Sequence, residues 1–297
     1  VNIKVITDPE TAISAAQTNQ VDALLSMPAT SSKTATADGL KTFNEPFSIA
    51  SLILMGRSNA GSPLSNLKVR QAINDAVDRK DLATGLGGGA AVATDEFAIP
   101  GATGYDPALA STYAYDTAKA KTLLAQGGYP KGFTLKVLDT VALDANGNIG
   151  ASLKSELAQI GINVELTETP SPAQFIPAAL SKKYDAVIWP LSQNGGGFYY
   201  AVQFAMAPFT NVFGSTSPAL NQLMAAAGGD SSTTAAAADY QKVNDYLVSN
   251  AWFAPLFSLS ATMVVGSKVS NVQTPSAANT TIDPVAPDAS LSWYPAS

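Results

Sequence analysis

An α/β fold, a mixed but mostly parallel sheet flanked by helices, is predicted for this 297-residue chain by three observations. From Phe133 to Trp189, strand-like and helix-like stretches alternate as β-α-β-α-β, the pattern of parallel strands joined by helical crossovers. That section ends in Ala186-Val187-Ile188-Trp189, an unbroken apolar run suited to a strand covered on both faces. Upstream, between Leu67 and Phe133, two amphipathic helices flank a long loop bearing Gly and Pro, and a strand follows at once.

Each element has a local reason. Val1, Ile3 and Val5 alternate with Asn2 and Lys4, a strand pattern. Asp8-Pro9 opens a helix, with Asp8 as N-cap and Pro9 in the first turn, and Ile13, Ala16 and Gln20 carry it on. Val21 to Leu25 reads as a strand, Lys33 to Gly39 as a loop of small polar residues, and Leu40 to Leu54 as two extended pieces around Pro46. Val69, Ala72, Ile73, Ala76 and Val77 form one stripe, predicting a helix over 66–86 that Gly87-Gly88-Gly89 ends. Asp116 caps a second helix whose inner face is Ala120, Leu123 and Leu124, stopped by Gly127-Gly128.

The alternating section follows. Phe133, Leu135 and Val137 mark a strand; Ile149, Leu153, Leu157 and Ile160 mark a helix closed by Gly161. Ile162, Val164 and Leu166 mark the next strand, and a short helix is predicted over 172–183. Ser192 to Gly197 is a polar loop at the carboxyl end of the apolar strand. Two later helices carry Leu220, Leu223, Met224 and Ala227, then Ala236, Tyr240, Val243 and Leu247. Residues 253–265 run extended, and the tail from Val272 reads as irregular.

Composition narrows the chemistry. A net charge of -6 repels phosphate backbones and argues against nucleic acid or an anionic membrane surface as partner. The chain has neither Cys nor His, which removes disulfides, thiol nucleophiles, Ser-His-Asp triads and the commonest transition-metal ligand. No metal and no cofactor is expected. No run of about twenty apolar residues is present to span a membrane.

Several motifs have a structural reading. Gly85 to Ala90 fits G-x-G-x-x-A but follows a helix rather than a strand, which suits a helix end and not a dinucleotide site. Asp116-Thr117-Ala118 looks like a protease triplet, yet stands where a helix N-cap is needed. Arg70 and Arg79 are expected to pair on the helix surface with Asp75, Asp78 or Asp81.

Ordered pieces of the chain resemble the family 5 extracellular solute-binding proteins of dipeptide, oligopeptide and nickel ABC importers. They are Asp8-Pro9-Glu10-Thr11-Ala12 with Gln20-Val21-Asp22-Ala23, and Val69-Arg70-Gln71-Ala72-Ile73 with Ala76-Val77-Asp78-Arg79. Tyr115-Asp116 with Gly128-Tyr129, Tyr184-Asp185-Ala186 with Trp189, and Ala254-Pro255-Leu256-Phe257 continue the series. The resemblance implies a periplasmic-binding-protein type II-like lobe with a partial second lobe. The implied division is a remnant of an N-terminal lobe over 1–46, a C-terminal α/β lobe over 47–258, and a return segment and tail over 259–297. The segments near Pro46 to Leu54 and Pro255 to Ser260 would form the hinge. The implied function is solute capture by lobe closure for an ABC permease, by a monomer outside the cytoplasm, lipid-anchored in its full-length form, and not by an enzyme. Peptide-binding members often carry an acidic residue in the loop after the Trp strand; Ser192, Gln193 and Asn194 are uncharged here, which points to a neutral solute. An oligopeptide, an oligosaccharide and a small organic compound all stay open.

The expected ligand-binding residues are Trp189, Ser192, Gln193, Asn194, Phe198, Tyr199 and Tyr200. Aromatic side chains offer a broad apolar face with a polar edge, and open α/β sheets bind ligands beyond the carboxyl ends of their strands. The alternative reading is a carbohydrate hydrolase using two of the 23 acidic residues as a carboxylate pair.

Overall fold

The structure is a computed structural model that describes residues 2–87, 91–100, 102–141, 148–193, 197–229, 233–272 and 294–295. Its main sheet has six strands: β1 (Ala23–Pro28), β2 (Lys41–Leu54), β3 (Phe133–Thr140), β4 (Ile162–Thr169), β5 (Ala186–Ser192) and β6 (Phe253–Val265). Their spatial order is β1-β6-β2-β5-β3-β4. The alternating section produces the parallel part, β5-β3-β4, as its crossover pattern requires. The pairings β1–β6, β6–β2 and β2–β5 are antiparallel, so the sheet is mixed as expected but not mostly parallel, because the long ribbons β2 and β6 run against their neighbours.

Helices cover both faces. On one, α3 (Leu67–Asp75), α4 (Arg79–Leu86), α5 (Thr117–Gln126) and α6 (Ile149–Ala158) pack Ile73, Leu82, Leu124 and Leu153 onto Leu52, Val137 and Ile188. On the other, α7 (Pro172–Leu180), α8 (Gly197–Ala205), α9 (Pro218–Gly229) and α10 (Thr233–Ser249) pack Phe175, Val202, Leu220 and Val243 onto Ile53, Leu138 and Val187. Neighbouring residues of one strand serve opposite cores, Leu52 one and Ile53 the other, because successive strand side chains alternate in direction. A third, smaller core joins α1 (Pro9–Gln17) and α2 (Ser31–Ala37) to Leu24, Met27 and Val264.

The ribbons β2 and β6 connect these cores. They pair along their length, with Pro46 opposite Ser260 and Ser51 opposite Pro255. The amino-terminal half of β2 lies over the small core; the carboxyl-terminal half pairs with β5. Register shifts at Pro46–Ser48 and Ala50–Ser51 let the ribbon bend, and the first coincides with a residue that has no N–H to give the ladder.

Local capping follows the sequence closely. The Asp8 side chain accepts from the Thr11 N–H, and Asp116 accepts from Lys119 N–H. Gly132 (φ +75) and Gly161 (φ +89) open β3 and β4 so close together that a Cβ on Gly132 would lie 1.7 Å from the Gly161 carbonyl oxygen.

Five further expectations change. Residues 2–7 form no strand, and Ile3 and Val5 stand 91% and 84% exposed: alternation selects a face but does not supply a neighbouring strand. The loop expected over 33–39 lies mostly in α2, where burial of Ser31 and Ala35 outweighs weak propensity. The helix expected over 66–86 is two, because Asp78 caps a new start by accepting from Asp81 N–H. Helix α1 ends at Gln17 and leaves Gln20 outside. Arg70 and Arg79 are buried and bond backbone carbonyls instead of surface acids. Gly88 to Ala90 and most of the tail lie outside the described residues; Val269–Ser270 (β7) pairs with Tyr294–Pro295 (β8).

Candidate functional site

Strand β5 is the centre of the candidate site. It leaves the sheet beside both β2 and β3, so its carboxyl end faces the ribbon on one side and the end of a parallel strand on the other. Ser192, its last residue, is exposed and sits opposite Ser48. Trp189 sits opposite Ser51. The hydroxyls of Ser48 and Ser51, and that of Thr140 at the end of β3, are buried without a hydrogen-bond partner among the described residues. At this point the sheet carries the small hydroxyl-bearing residues Ser48, Ser51, Thr140 and Ser192, with the buried carboxylate Asp139 beside Thr140.

The aromatic residues divide into two groups. The Trp189 ring packs against Phe175 at 4.7 Å, Phe209 at 5.3 Å and Phe204 at 6.3 Å, the last nearly parallel. Trp189 and Phe175 are buried, whereas Phe204 is 41% exposed and extends the cluster to the surface. Phe198 is buried and meets Phe97 edge-on at 5.8 Å and Tyr240 at 6.1 Å. Sequence reasoning missed Phe175, Phe204 and Phe209. The spacing Phe204-x4-Phe209 just beyond Phe198 was a signal, but only the fold of α8 back along β5 brings those rings to Trp189.

Gln193 is buried and committed. Its Nε2 donates to the Phe97 carbonyl at 2.7 Å, its Oε1 accepts from Ile99 N–H at 3.1 Å, and its own N–H donates to the Phe47 carbonyl. Asn194 lies outside the described residues. Tyr199 and Tyr200 fall on α8, which begins at Gly197. The structure thus brings Ser192 and Gln193 together at the end of β5, and places Trp189 and Phe198 in the core behind them.

The return into β6 is fixed by buried donors. Arg57 donates to the carbonyls of Leu54 and Trp252, Arg70 to those of Asn250 and Ala251, Asn74 to that of Phe253 and Arg79 to that of Pro255. The Arg57 guanidinium also lies 4.5 Å from the centre of the Trp252 ring. Burial, reinforced by the charge of Arg70, pulls Arg57 down to about 9, which leaves it charged at neutral pH.

A cleft of about 200 Å3 opens between the start of α4 and residues 110–115; it includes none of the residues expected from sequence. Among the described residues no three carboxylates converge as a metal site. The neighbours Asp95 and Glu96 each accept backbone N–H bonds, from Tyr113 and Asp106, and lie inside the protein. Nothing in that arrangement supports a carboxylate-pair hydrolase. No helix among the described residues is long and apolar enough to cross a membrane.

A mixed sheet with helices on both faces, joined by two paired ribbons to a separate core, is the fold of the periplasmic binding proteins. The chain belongs to the bacterial extracellular solute-binding proteins, family 5, whose middle-region model matches residues 1–217. It is similar to heme-binding protein A of Haemophilus influenzae, 42% identical over 72 residues, which are 24% of this chain and 13% of that protein. It is also similar to the glutathione-binding protein GsiB of Salmonella choleraesuis, 36% identical over 111 residues, 35% of this chain and 20% of that protein. Among solved structures, HbpA2 from Haemophilus parasuis matches with a TM-score of 0.78 and 21% identity, covering 91% of this chain and 54% of that one. The periplasmic binding protein DppA from Helicobacter pylori, in complex with the peptide STSA, matches with a TM-score of 0.70 and 23% identity, covering 93% and 55%. At these identities the structural matches establish the fold. The chain spans about half the length of those solved proteins and far less of the curated relatives' length.

Proposed function

We propose that this chain is the larger solute-gripping part of the binding component of an ABC importer. The carrying observation is the pairing of β2 with β6 between two separate hydrophobic cores, beside the exposed end of β5. Two strands that cross together between cores form a waist about which the cores can hinge. The expected divisions, 1–46, 47–258 and 259–297, place the waist on these ribbons. Lobe closure over a solute is physical capture, with no covalent step, so the protein is not an enzyme.

The solute contacts Ser192 directly and the exposed ring of Phe204, the outer part of an aromatic wall in which Trp189 packs behind Phe204. Gln193 and Phe198 support that wall from within, and Asn194, Tyr199 and Tyr200 complete the site on sequence grounds. The uncharged residues that follow Trp189 in the sequence, Ser192, Gln193 and Asn194, favour a neutral solute or a neutral part of a larger one. Relatives named for heme, glutathione and peptide support an importer role without fixing the solute. The partner is an ABC permease, the location is outside the cytoplasm, the protein is monomeric, and its full-length form carries a lipid anchor.

Because capture shares a solute between two lobes, the chain alone binds more weakly than micromolar. Isothermal titration against neutral peptides, oligosaccharides and small organic compounds tests this, using the chain and a longer precursor containing it. The expected result is saturable binding of one class by the precursor, weakened at least tenfold by Ser192→Asp or Phe204→Ser, in line with loss of a central contact. Tight binding by the chain alone, or binding indifferent to both substitutions, would overturn the proposal.

A further inference from the structure

The geometry points to Glu96 as a positioning residue: its carboxyl group, when protonated, holds the two shoulders of the β5–α8 connection, Gln193 and Phe198, and loosens them when ionised. The chain of contacts is continuous. Gln193 brackets the backbone of Phe97 and Ile99. The Phe97 N–H donates to Asn244 Oδ1 at 3.1 Å, and Asn244 Nδ2 donates to Glu96 Oε2 at 2.7 Å and to the Gly104 carbonyl at 3.1 Å. The Asp106 N–H donates to the same Oε2 at 2.9 Å. Phe198 rests on the same segment: its ring meets Phe97, and a Cβ on Gly104 (φ +98) would come within 2.9 Å of it. Gln193 and Phe198 thus lean on residues 96–100 and 102–106, and Glu96 with Asn244 ties that segment to α10.

Glu96 is fully buried, and its Oε1 has no hydrogen-bond partner among the described residues. The charged and titratable groups facing it on its own segment are Asp95, Asp106 and the phenol of Tyr105. From α10, among the described residues, come the neutral amides of Asn244 and Gln241, the latter bonded to the Tyr105 carbonyl, and Tyr240, which packs on Gly104 and Phe198, while Lys242 is held by Asp239. Arg79 of α4 faces Asp95 rather than Glu96. An ionised Glu96 is therefore a buried carboxylate among carboxylates, with both of its donors on one oxygen.

Burial pushes Glu96 up to about 7 against the pull of its two hydrogen bonds, and Asp95 and Asp106 push it further. A carboxyl raised in the closed arrangement stabilises it fully below the ordinary value of 4.5, and the effect is lost as pH rises through about 7. The bearing on solute capture rests on the function proposed above; the coupling itself does not, and it is testable without solute.

The experiment is amide hydrogen exchange at Leu191 to Gln193 and Val202 to Ala205, corrected for the intrinsic pH dependence of exchange. Raising pH from 6 to 8 is expected to lower protection there about tenfold in the wild-type chain, the linkage of one carboxyl with this difference. Glu96→Gln keeps the amide contacts without the charge and should hold protection constant. Gln193→Met cuts the chain further along, so that Leu191 to Gln193 stop responding while Phe97, whose N–H donates to Asn244, still does. A pH response identical in wild type and Glu96→Gln, no response in wild type, or an undiminished response in Gln193→Met would each overturn the inference.

Discussion

Arg79 and Pro255 lie 176 positions apart in the chain, yet Arg79 Nε donates to the Pro255 carbonyl at 2.7 Å. The rest of the guanidinium is used on the carbonyl and side chain of Asn74 and on the carbonyl of Tyr113. Burial lowers its pKa, and Asp95 and Asp75 raise it again. One planar group thus ties α4, the end of α3 and the ribbon β6 together at the point where the ribbon starts its crossing.

Arg79→Lys should be costly although it keeps the charge. A lysine has no planar fork, so several of these acceptors lose their donor, and each buried unpaired group costs about 1–3 kcal/mol. The expected loss is about 3 kcal/mol in urea denaturation, with the slope of the transition unchanged. A loss under about 1 kcal/mol would mean that the ribbon does not depend on this staple.

Two glycines separate backbone strain from collision. Gly128 has φ +94 and open space around its Cβ position, so Gly128→Ala should cost only about 1 kcal/mol. Gly132 has φ +75 and faces the Gly161 carbonyl, so Gly132→Ala must also push β3 and β4 apart. Its thermal midpoint should fall well below that of Gly128→Ala. Equal midpoints would show that the two strand entries are not in close contact.

Stability should decline from pH 5 to pH 8. Glu156 accepts from Asp78 N–H, and burial pushes it up to about 7, with Asp78 and Asp81 adding to the effect. Glu96 shifts the same way. Both carboxyls bind their proton more tightly when folded, so stability is fully present below about pH 4.5 and is lost as pH climbs through about 7. The expected difference is on the order of 2 kcal/mol for each group by denaturant titration. The double substitution Glu96→Gln with Glu156→Gln should remove most of it.

The aromatic cluster offers a contrast between packing and surface roles. Phe175→Ala empties a fully buried position and should cost about 3–5 kcal/mol. Phe204→Ser removes a ring that is 41% exposed and should cost about 1 kcal/mol while weakening solute binding in a longer precursor. Urea titration beside calorimetry distinguishes the two. A severe loss of stability in Phe204→Ser would assign that ring to the core.

Helix caps, strand periodicity and the β-α-β-α-β order were legible because each is a local relation. Asp8, Asp116 and Gly161 act within a few residues, and Leu135 with Val137 needs only a period of two. The resemblance to family 5, with the absence of His and Cys, gave the class of function and excluded much chemistry. Around the candidate site, Ser192, expected in the loop after the strand, is the exposed last residue of β5.

What the chain could not reveal locally is which residues meet. Val1 to Val5 has a strand's alternation, but a strand exists only where another edge offers its hydrogen bonds, and residues 2–7 have none. Arg70 and Arg79 look like surface ion-pair residues until β6 passes beside them and exposes carbonyls to satisfy. Gln193 reads as a free loop amide until the segment 97–99 lies across it. Local pattern fixes the period and ends of an element because those depend on near neighbours. Tertiary packing decides the partner of each buried polar group, because burial without a partner costs more than any local preference can return.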